Sequence, residues 1–244
     1  MDRRGLPPLR YFGRMDAPPP VWMETRAPFE LARLLRDPLF AGGDMPRGDG
    51  RPVLLIPGFM GGDRSLDTLR EWLRRLGYDV EQSGLTFNIW YSEAVLRTLT
   101  PRMAGLFDRT SRPVTIIGHS RGGLLAKVLS DRHPHLVQRV VGLGSPFADP
   151  FDVHPFTMAG VRVAQAVNLV RFGQTSHAEV PFLRDLAAPA QVPLTSIYSR
   201  SDGIVHWPAC LRPDADCVEV TGSHTGLGVN PEVYALLARV LPVG

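Results

Sequence analysis

The sequence predicts an α/β fold in which a mostly parallel sheet of about six strands carries helices on both faces and a small helical cap. From residue 52 onward, short apolar runs alternate with segments of helical periodicity, the pattern of alternating strands and helices. Several runs are apolar throughout, as expected for parallel strands covered on both sides. With 244 residues, of which 44% are hydrophobic, the chain can bury one sizeable core.

The first part of this alternation contains three strands. Residues 53–56 are Val-Leu-Leu-Ile, a continuous apolar run that predicts the first strand. Residues 65–76 carry four leucines at helical spacing, and a second strand begins at 78–80. A helix is expected over 92–108, and the run Val-Thr-Ile-Ile at 114–117 predicts the third strand.

The second part repeats the pattern to the end of the chain. A helix is expected over 121–132, followed by a fourth strand at 140–143. The fifth strand is expected at 194–198 and the sixth at 218–220. The final helix is expected over 231–241. Strands that alternate with helices indicate a doubly wound sheet.

The N-terminal region has a different composition, rich in Pro and Arg. Three successive prolines lie near the centre of 1–28, which favours an extended arm. The aromatic residues Tyr11, Phe12 and Trp22 are candidates for docking this arm onto the protein. A short helix is expected over 29–37, and it should end before Pro38 because the residue that precedes a proline disfavours helical dihedral angles.

We therefore divide the chain into an N-terminal arm with a short helix, 1–50, and a larger domain, 51–244, with a cap inserted at about 145–190. The centre of the cap, 158–172, is mostly apolar and predicts a helix with a narrow polar stripe. One interpretation is a helix packed into the core, and the other is a lid that lines an acyl pocket. The stripe consists of Arg162, Gln165, Asn168 and Arg171.

Ser120 stands in the most informative segment of the chain, a Gly-X-Ser-X-Gly pattern that begins at Gly118 and ends at Gly122. A buried strand precedes the pattern and a helix follows it, which is the context that a nucleophile elbow requires. The turn is so tight that only small residues fit at the two glycine positions. It lifts the serine hydroxyl above the end of the sheet, so we expect Ser120 to be a nucleophile.

A serine hydroxyl needs a base that takes its proton and a third group that orients the base. Asp202 and His224 follow the fifth and sixth predicted strands, at the end of the sheet where open α/β folds bind ligands. Their order after Ser120 is the expected order of serine, acid and histidine. We predict His224 as the general base and Asp202 as the acid. The alternative acids are Asp149 and Asp152, which follow the fourth strand.

An oxyanion hole needs two backbone N–H groups near the nucleophile. Arg121, the residue after the nucleophile, is expected to supply one of them. The glycine-rich loop 56–62 follows the first strand and is expected to supply the other, from Phe59 or alternatively from Met60. The loop lacks the Gly-Lys-Ser/Thr ending of a phosphate-binding loop.

Together these segments resemble the α/β-hydrolase superfamily, and within it the compact lipases and esterases. They occur in the order of that family and lie within residues 50–244, about four-fifths of the chain. The resemblance covers the fold and the catalytic residues and says little about the substrate. The matching segments are 55–59, 118–123, 201–205 and 222–227.

The resemblance implies that Ser120 is the nucleophile, Asp202 the acid and His224 the base, and that the chemistry passes through an acyl-enzyme without a cofactor. The chain departs from the family pattern in two respects. Many relatives begin the first loop with His-Gly, where this chain has Pro57 and Gly58. The antiparallel strands that open larger members are not evident, and the Pro-rich arm stands in their place.

The expected function is that of a serine carboxylic-ester hydrolase of the lipase or esterase type, acting on a small-molecule or lipid ester. The alternatives are an acyltransferase that uses the same residues and a non-catalytic binding protein with this fold. Intact serine, acid and histidine residues argue against the binding protein. No metal is expected.

The apolar residues of 156–172 are expected to bind the acyl chain, and the substrate-binding candidates are Met60, His119, Met158 and Val161.

The composition excludes several other classes of protein. The net charge is only +3, and no cluster of basic residues with interleaved aromatics indicates a nucleic-acid partner. The sequence has no run of about 20 apolar residues and no signal-peptide core, so we expect a cytoplasmic protein, with peripheral membrane contact left open. Cys210 and Cys217 are expected to be free thiols, and a disulfide across the turn between them is the alternative.

Overall fold

The computed structural model describes residues 18–43, 45–173 and 179–241, and within them six strands form one sheet. The strands are β1 (Pro52–Ile56), β2 (Asp79–Gln82), β3 (Val114–His119), β4 (Val137–Leu143), β5 (Leu194–Tyr198) and β6 (Asp216–Glu219). Their spatial order is β2-β1-β3-β4-β5-β6, and each neighbouring pair is parallel. The predicted sheet is therefore confirmed.

Eight α-helices of the described chain accompany the sheet. They are α1 (Ala27–Arg36), α2 (Pro38–Ala41), α3 (Asp67–Arg75), α4 (Ser92–Thr110), α5 (Arg121–Arg132), α6 (Pro155–Phe172), α7 (Val180–Ala187) and α8 (Pro231–Val240). Among the described residues, no helix combines the length and the apolar character that crossing a membrane requires. Two short 3₁₀ helices matter for the site, Val21–Arg26 and Thr225–Val229.

The core consists of two apolar layers, one on each face of the sheet. Side chains alternate along a strand, so Val53 and Leu55 of β1 enter the layer that α2, α3 and α8 cover. Leu54 and Ile56 enter the opposite layer, under α4, α5 and α7. All four side chains are at most 1% exposed. This complete burial explains why the first strand is an unbroken apolar run.

The N-terminal region differs from the prediction. Residues 21–26 form a 3₁₀ helix instead of an extended arm, because the proline run ends at Pro20 and nothing beyond it prevents helical dihedral angles. Trp22 is 69% exposed, so the predicted docking through Trp22 is wrong. Tyr11 and Phe12 lie outside the described residues. Cys210 and Cys217 are both free thiols in the structure.

The segment predicted as a cap, 145–190, contains α6 and α7, and α6 is not a core helix. Phe156 is 80% exposed, Val163 65% and Val170 88%, so much of the apolar surface of α6 faces solvent. The polar stripe is divided, because Gln165 and Asn168 face a cavity above Ser120, whereas the arginines of the stripe are exposed. The interpretation of α6 as a core-packing helix is therefore wrong.

Candidate active site

Ser120 lies on a turn between β3 and α5 that only small neighbouring residues allow. A side chain at Gly118 would overlap the backbone of Gly122 and Gly123. A side chain at Gly122 would overlap the carbonyl oxygen of Ile56. Ser120 itself has φ 53° and ψ −123°, a strained conformation that costs a non-glycine residue about 1–3 kcal/mol. The strand–turn–helix arrangement expected for a nucleophile elbow is therefore present.

Asp202 and His224 meet beyond the carboxyl ends of β5 and β6. The Nδ1 atom of His224 donates a 2.6 Å hydrogen bond to Oδ2 of Asp202, and both residues are buried. The other oxygen, Oδ1, accepts the backbone N–H of Ile204 at 2.8 Å and of Val205 at 2.7 Å. Because a carboxylate only accepts hydrogen bonds, the proton of neutral His224 is on Nδ1 and a lone pair remains on Nε2.

The charge environment of His224 favours its protonated form. Burial lowers its pKa, but the Asp202 carboxylate, the hydrogen bond to it and the Glu24 carboxylate outweigh burial, and the pKa lies above the ordinary value of 6.5. An imidazole in this setting is well suited to hold a proton that it has just accepted.

His119 packs against His224 from the side of the elbow. The two ring centroids are 4.8 Å apart, and Nε2 of His119 donates a 2.9 Å hydrogen bond to the carbonyl oxygen of His224. Burial, together with the neighbouring His224 ring, lowers the pKa of His119 to about 4. His119 is therefore neutral at pH 7 and holds the backbone of His224 in place.

The alternative acids have partners of their own. Asp152 accepts a 3.1 Å hydrogen bond from Nδ1 of His206. Asp149 accepts the backbone N–H of Phe151 at 2.9 Å, within its own turn. The structure thus brings Asp202, and neither of these two carboxylates, to the imidazole of His224.

Asn88 organises the loop that follows β1, although nothing in the sequence pattern singled it out. Its Nδ2 donates to the carbonyl oxygen of Pro57 at 2.8 Å. Its backbone N–H donates to the carbonyl oxygen of Gly61 at 2.9 Å. Its carbonyl oxygen accepts the N–H of Met60 at 3.2 Å. Since the amide of Met60 is already engaged, Phe59 is the better of the two candidate oxyanion donors in this loop.

Arg121 connects this loop to the elbow. It is the first residue of α5, where a backbone N–H has no acceptor within the helix. Its guanidinium donates to the carbonyl oxygen and to Oδ1 of Asn88, at 3.0 and 2.8 Å, and to Oγ of Ser92 at 3.2 Å. Burial lowers the pKa of Arg121 to about 10, so the side chain stays charged at pH 7.

Ser120 lies where two cavities meet. The inner cavity, about 210 Å³, extends from Ser120 between α5, α6 and α7, and its walls are mainly apolar. The outer groove, about 390 Å³, contains both Ser120 and His224 and borders on the start of α6. Phe59 lines both. The apolar residues that line the inner cavity include Trp90, Leu124, Phe182, Leu183 and Ile204.

Three of the four predicted substrate-binding residues line these spaces. Val161 of α6 lines the inner cavity, next to the polar residues of the stripe. Met60 and His119 line the outer groove. Met158 lines neither of the two.

Two glutamates of the N-terminal segment also reach the site, and sequence reasoning missed both. Glu24 accepts hydrogen bonds from the backbone of the loops that carry Asp202 and His224, and Glu30 binds Ser223. No local motif marks them, because they lie about 180–200 residues before their partners in the chain.

A protein-family model matches residues 61–201, more than half of the chain. The family is Esterase, with the description "Putative esterase". The matched region contains Ser120 and ends one residue before Asp202. A search of curated proteins finds no significant match.

Solved structures of α/β-hydrolases resemble the protein over about four-fifths of its length. The lipase BlEst2 of Bacillus licheniformis, in its mature form, is 14% identical with a TM-score of 0.61, covering 82% of this chain and 95% of that one. The α/β-hydrolase MGS-MChE2, from a lagoon-sediment metagenome, is 20% identical with a TM-score of 0.53, covering 80% and 91%. A soluble variant of monoglyceride lipase from Saccharomyces cerevisiae is 15% identical with a TM-score of 0.53, covering 82% and 86%. These likenesses confirm the predicted α/β-hydrolase fold.

Proposed function

Because the chain belongs to the Esterase family and has the α/β-hydrolase fold, we propose that it is a serine carboxylic-ester hydrolase with Ser120 as nucleophile. One observation carries the assignment. A strained serine on a strand–turn–helix shares a groove with a histidine whose Nδ1 is hydrogen-bonded to a buried aspartate. That combination supplies a nucleophile, a base and a group that orients the base.

In the first half of the reaction, the Ser120 oxygen attacks the carbonyl carbon of the ester. Nε2 of His224 takes the serine proton, and Asp202 keeps the imidazole in the Nδ1–H tautomer and offsets its new positive charge. Collapse of the tetrahedral intermediate expels the alcohol, which receives the proton from His224. The acyl group is then bound to Ser120 as an ester.

The oxyanion of the intermediate forms beside two backbone N–H groups. We assign these to Phe59 and Arg121, because the Met60 amide donates to Asn88 and because the first N–H of α5 needs an acceptor.

In the second half of the reaction, His224 removes a proton from water, and the hydroxide attacks the acyl-enzyme. The bond between the acyl carbon and the Ser120 oxygen then breaks, the carboxylic acid leaves, and Ser120 takes back the proton from His224.

The two cavities suggest how an ester lies in the site. The apolar inner cavity suits the acyl chain, and the outer groove, which contains His224, suits the leaving alcohol that must collect a proton from it. Val161 of α6 would contact the acyl chain, whereas Met60 and Phe156 would border the alcohol.

Hydrolysis of p-nitrophenyl esters from acetate to palmitate tests this function, with Ser120→Ala as the control. We expect turnover of the wild-type protein and a loss of at least about 10⁴-fold in kcat for the variant, because the nucleophile is gone. A preference for long chains supports a lipase and a preference for short chains an esterase. Undiminished hydrolysis by Ser120→Ala contradicts the proposal.

A further inference from the structure

The loops after β5 and β6 are tied together by a side chain from the N-terminal segment. Oε1 of Glu24 accepts the backbone N–H of Gly203 at 3.0 Å and of His224 at 2.8 Å. Oε2 accepts the N–H of Thr225 at 2.8 Å. Gly203 follows Asp202 directly, so one carboxylate joins the loop of the proposed acid to the loop of the proposed base.

Glu30 binds the same region differently. Its Oε1 accepts the N–H of Ser223 at 2.9 Å, and its Oε2 accepts the hydroxyl of Ser223 at 2.6 Å. These bonds support only the His224 loop, and they do not reach the loop of Asp202. The two glutamates therefore form a natural pair for comparison.

A glycine directly after Asp202 and another two residues after His224 make room for these carboxylates. A Cβ atom at Gly203 would lie 2.9 Å from Oε1 of Glu24 and 2.8 Å from the carbonyl oxygen of Pro20. A Cβ atom at Gly226 would overlap the carboxylate of Glu30. The glycines that flank the acid and base in the sequence are thus places where the N-terminal segment approaches the backbone.

Glu24 also belongs to the charge environment of His224. The titratable groups that face this histidine are Asp202 from the loop after β5, His119 from the elbow and Glu24 from the N-terminal segment, with Glu30 one residue away on Ser223. Among the carboxylates, Asp202 and Glu24 raise the pKa of His224. His119 is neutral at pH 7, because burial lowers its pKa to about 4.

We propose that Glu24 is a positioning residue of the active site, one that fixes the Asp202 and His224 loops relative to each other and places a second negative charge near the imidazole. This inference rests on the proposed function, in which His224 is the base. It assigns an active-site role to a segment that lies outside the region matched by the family model.

The first test is a titration of the His224 ring by NMR, which needs no turnover. We compare the wild-type protein with Glu24→Gln, Glu24→Asp and Glu30→Gln, and use His224→Gln to assign the signal. Loss of the nearby charge in Glu24→Gln is expected to lower the titration midpoint by about 0.5–1 pH unit. Glu24→Asp and Glu30→Gln are expected to shift it less.

The second test is the pH dependence of kcat/KM for p-nitrophenyl acetate, with Glu71→Gln as the control. Glu71 is an exposed carboxylate on α3, so its loss removes one charge away from the site. In Glu24→Gln, we expect the acidic limb to move to lower pH and kcat to fall about tenfold, since one carboxylate oxygen is replaced by an N–H₂ group facing N–H donors. Glu24→Asp keeps the charge but has a shorter reach, so we expect it to lose kcat and to retain the acidic limb.

The outcomes separate this inference from the proposed function. A folded Glu24→Gln protein with an unchanged His224 midpoint and an unchanged kcat contradicts the inference, even if Ser120 is confirmed as the nucleophile. If Glu24→Gln does not fold, a wild-type kcat in Glu24→Asp contradicts the positioning role. If the wild-type protein hydrolyses no ester, the proposed function fails, whereas the NMR midpoint still decides whether Glu24 acts on His224.

Discussion

The two halves of the candidate active site are held in place by different means. The nucleophile half, from β1 through β3 to the start of α5, is fixed by steric fit, because glycine backbones touch each other and Ser120 is strained between them. The acid–base half consists of the loops after β5 and β6, and carboxylates from the N-terminal segment hold those loops. The turn at Ser120 is marked by a short motif, Gly118 to Gly122, whereas the glutamates that hold the second half lie about 180–200 residues from their partners.

The largest effect is expected on the stability of the protein when Gly122, which has no space for a side chain, is substituted. In Gly122→Ala, the new methyl group overlaps the carbonyl oxygen of Ile56, so we expect the free energy of unfolding to fall by about 3 kcal/mol or more. Urea denaturation measures this. The matched control is Gly105→Ala in α4, where a Cβ atom meets nothing within 4 Å and stability should rise by up to about 1 kcal/mol. Equal stabilities of the two variants would show that the elbow is not sterically fixed.

In the acid–base half, Asp202→Asn should leave the protein folded but reduce kcat by about 10³–10⁴-fold, because an amide no longer selects the Nδ1–H tautomer of His224. Steady-state hydrolysis of p-nitrophenyl acetate measures the loss. Asp152→Asn, in the carboxylate paired with His206, is the matched control and should lose less than about tenfold. If Asp152→Asn has the larger effect, the acid has been assigned to the wrong strand.

Asn88→Ala tests how the loop after β1 is held in the nucleophile half. It removes the hydrogen bond to the carbonyl oxygen of Pro57 and a partner of the Arg121 guanidinium, so the loop that carries Phe59 is less well ordered. We expect kcat to fall about 10–100-fold with little change in KM, as for a weakened oxyanion hole. Stability should fall by about 1–3 kcal/mol. A loss confined to KM would place Asn88 in substrate binding instead.

The smallest expected effect is on the pH dependence of kcat/KM. The proposed reaction needs neutral His224, and the pKa of His224 is raised, so kcat/KM should increase with pH through a midpoint above 6.5. Below that midpoint the rate should fall about tenfold per pH unit, since the fraction of His224 that is neutral falls by that factor. A pH–rate profile at constant ionic strength measures the midpoint. A midpoint below 6.5 would mean that burial outweighs the carboxylates around the ring.

The same contrast explains what could be predicted from the sequence. The sheet, the elbow and the positions of Asp202 and His224 follow from local patterns, because apolar runs and the small residues of the elbow are recognisable within short segments. Glu24, Glu30 and Asn88 bind mainly backbone groups of distant loops, and almost every residue carries such groups, so the partner's residue type does not identify the contact. The orientation of α6 was also not predictable, since an apolar helix over a site and an apolar helix in a core have the same composition.

Labelling with a fluorophosphonate, followed by mass spectrometry of the peptides, tests most directly whether Ser120 is the nucleophile. We expect a single phosphonyl adduct on Ser120, a much slower labelling rate in Asp202→Asn and no labelling in Ser120→Ala. An adduct on another residue, or ester hydrolysis that persists while Ser120 remains unlabelled, would contradict the assignment of Ser120 as the nucleophile.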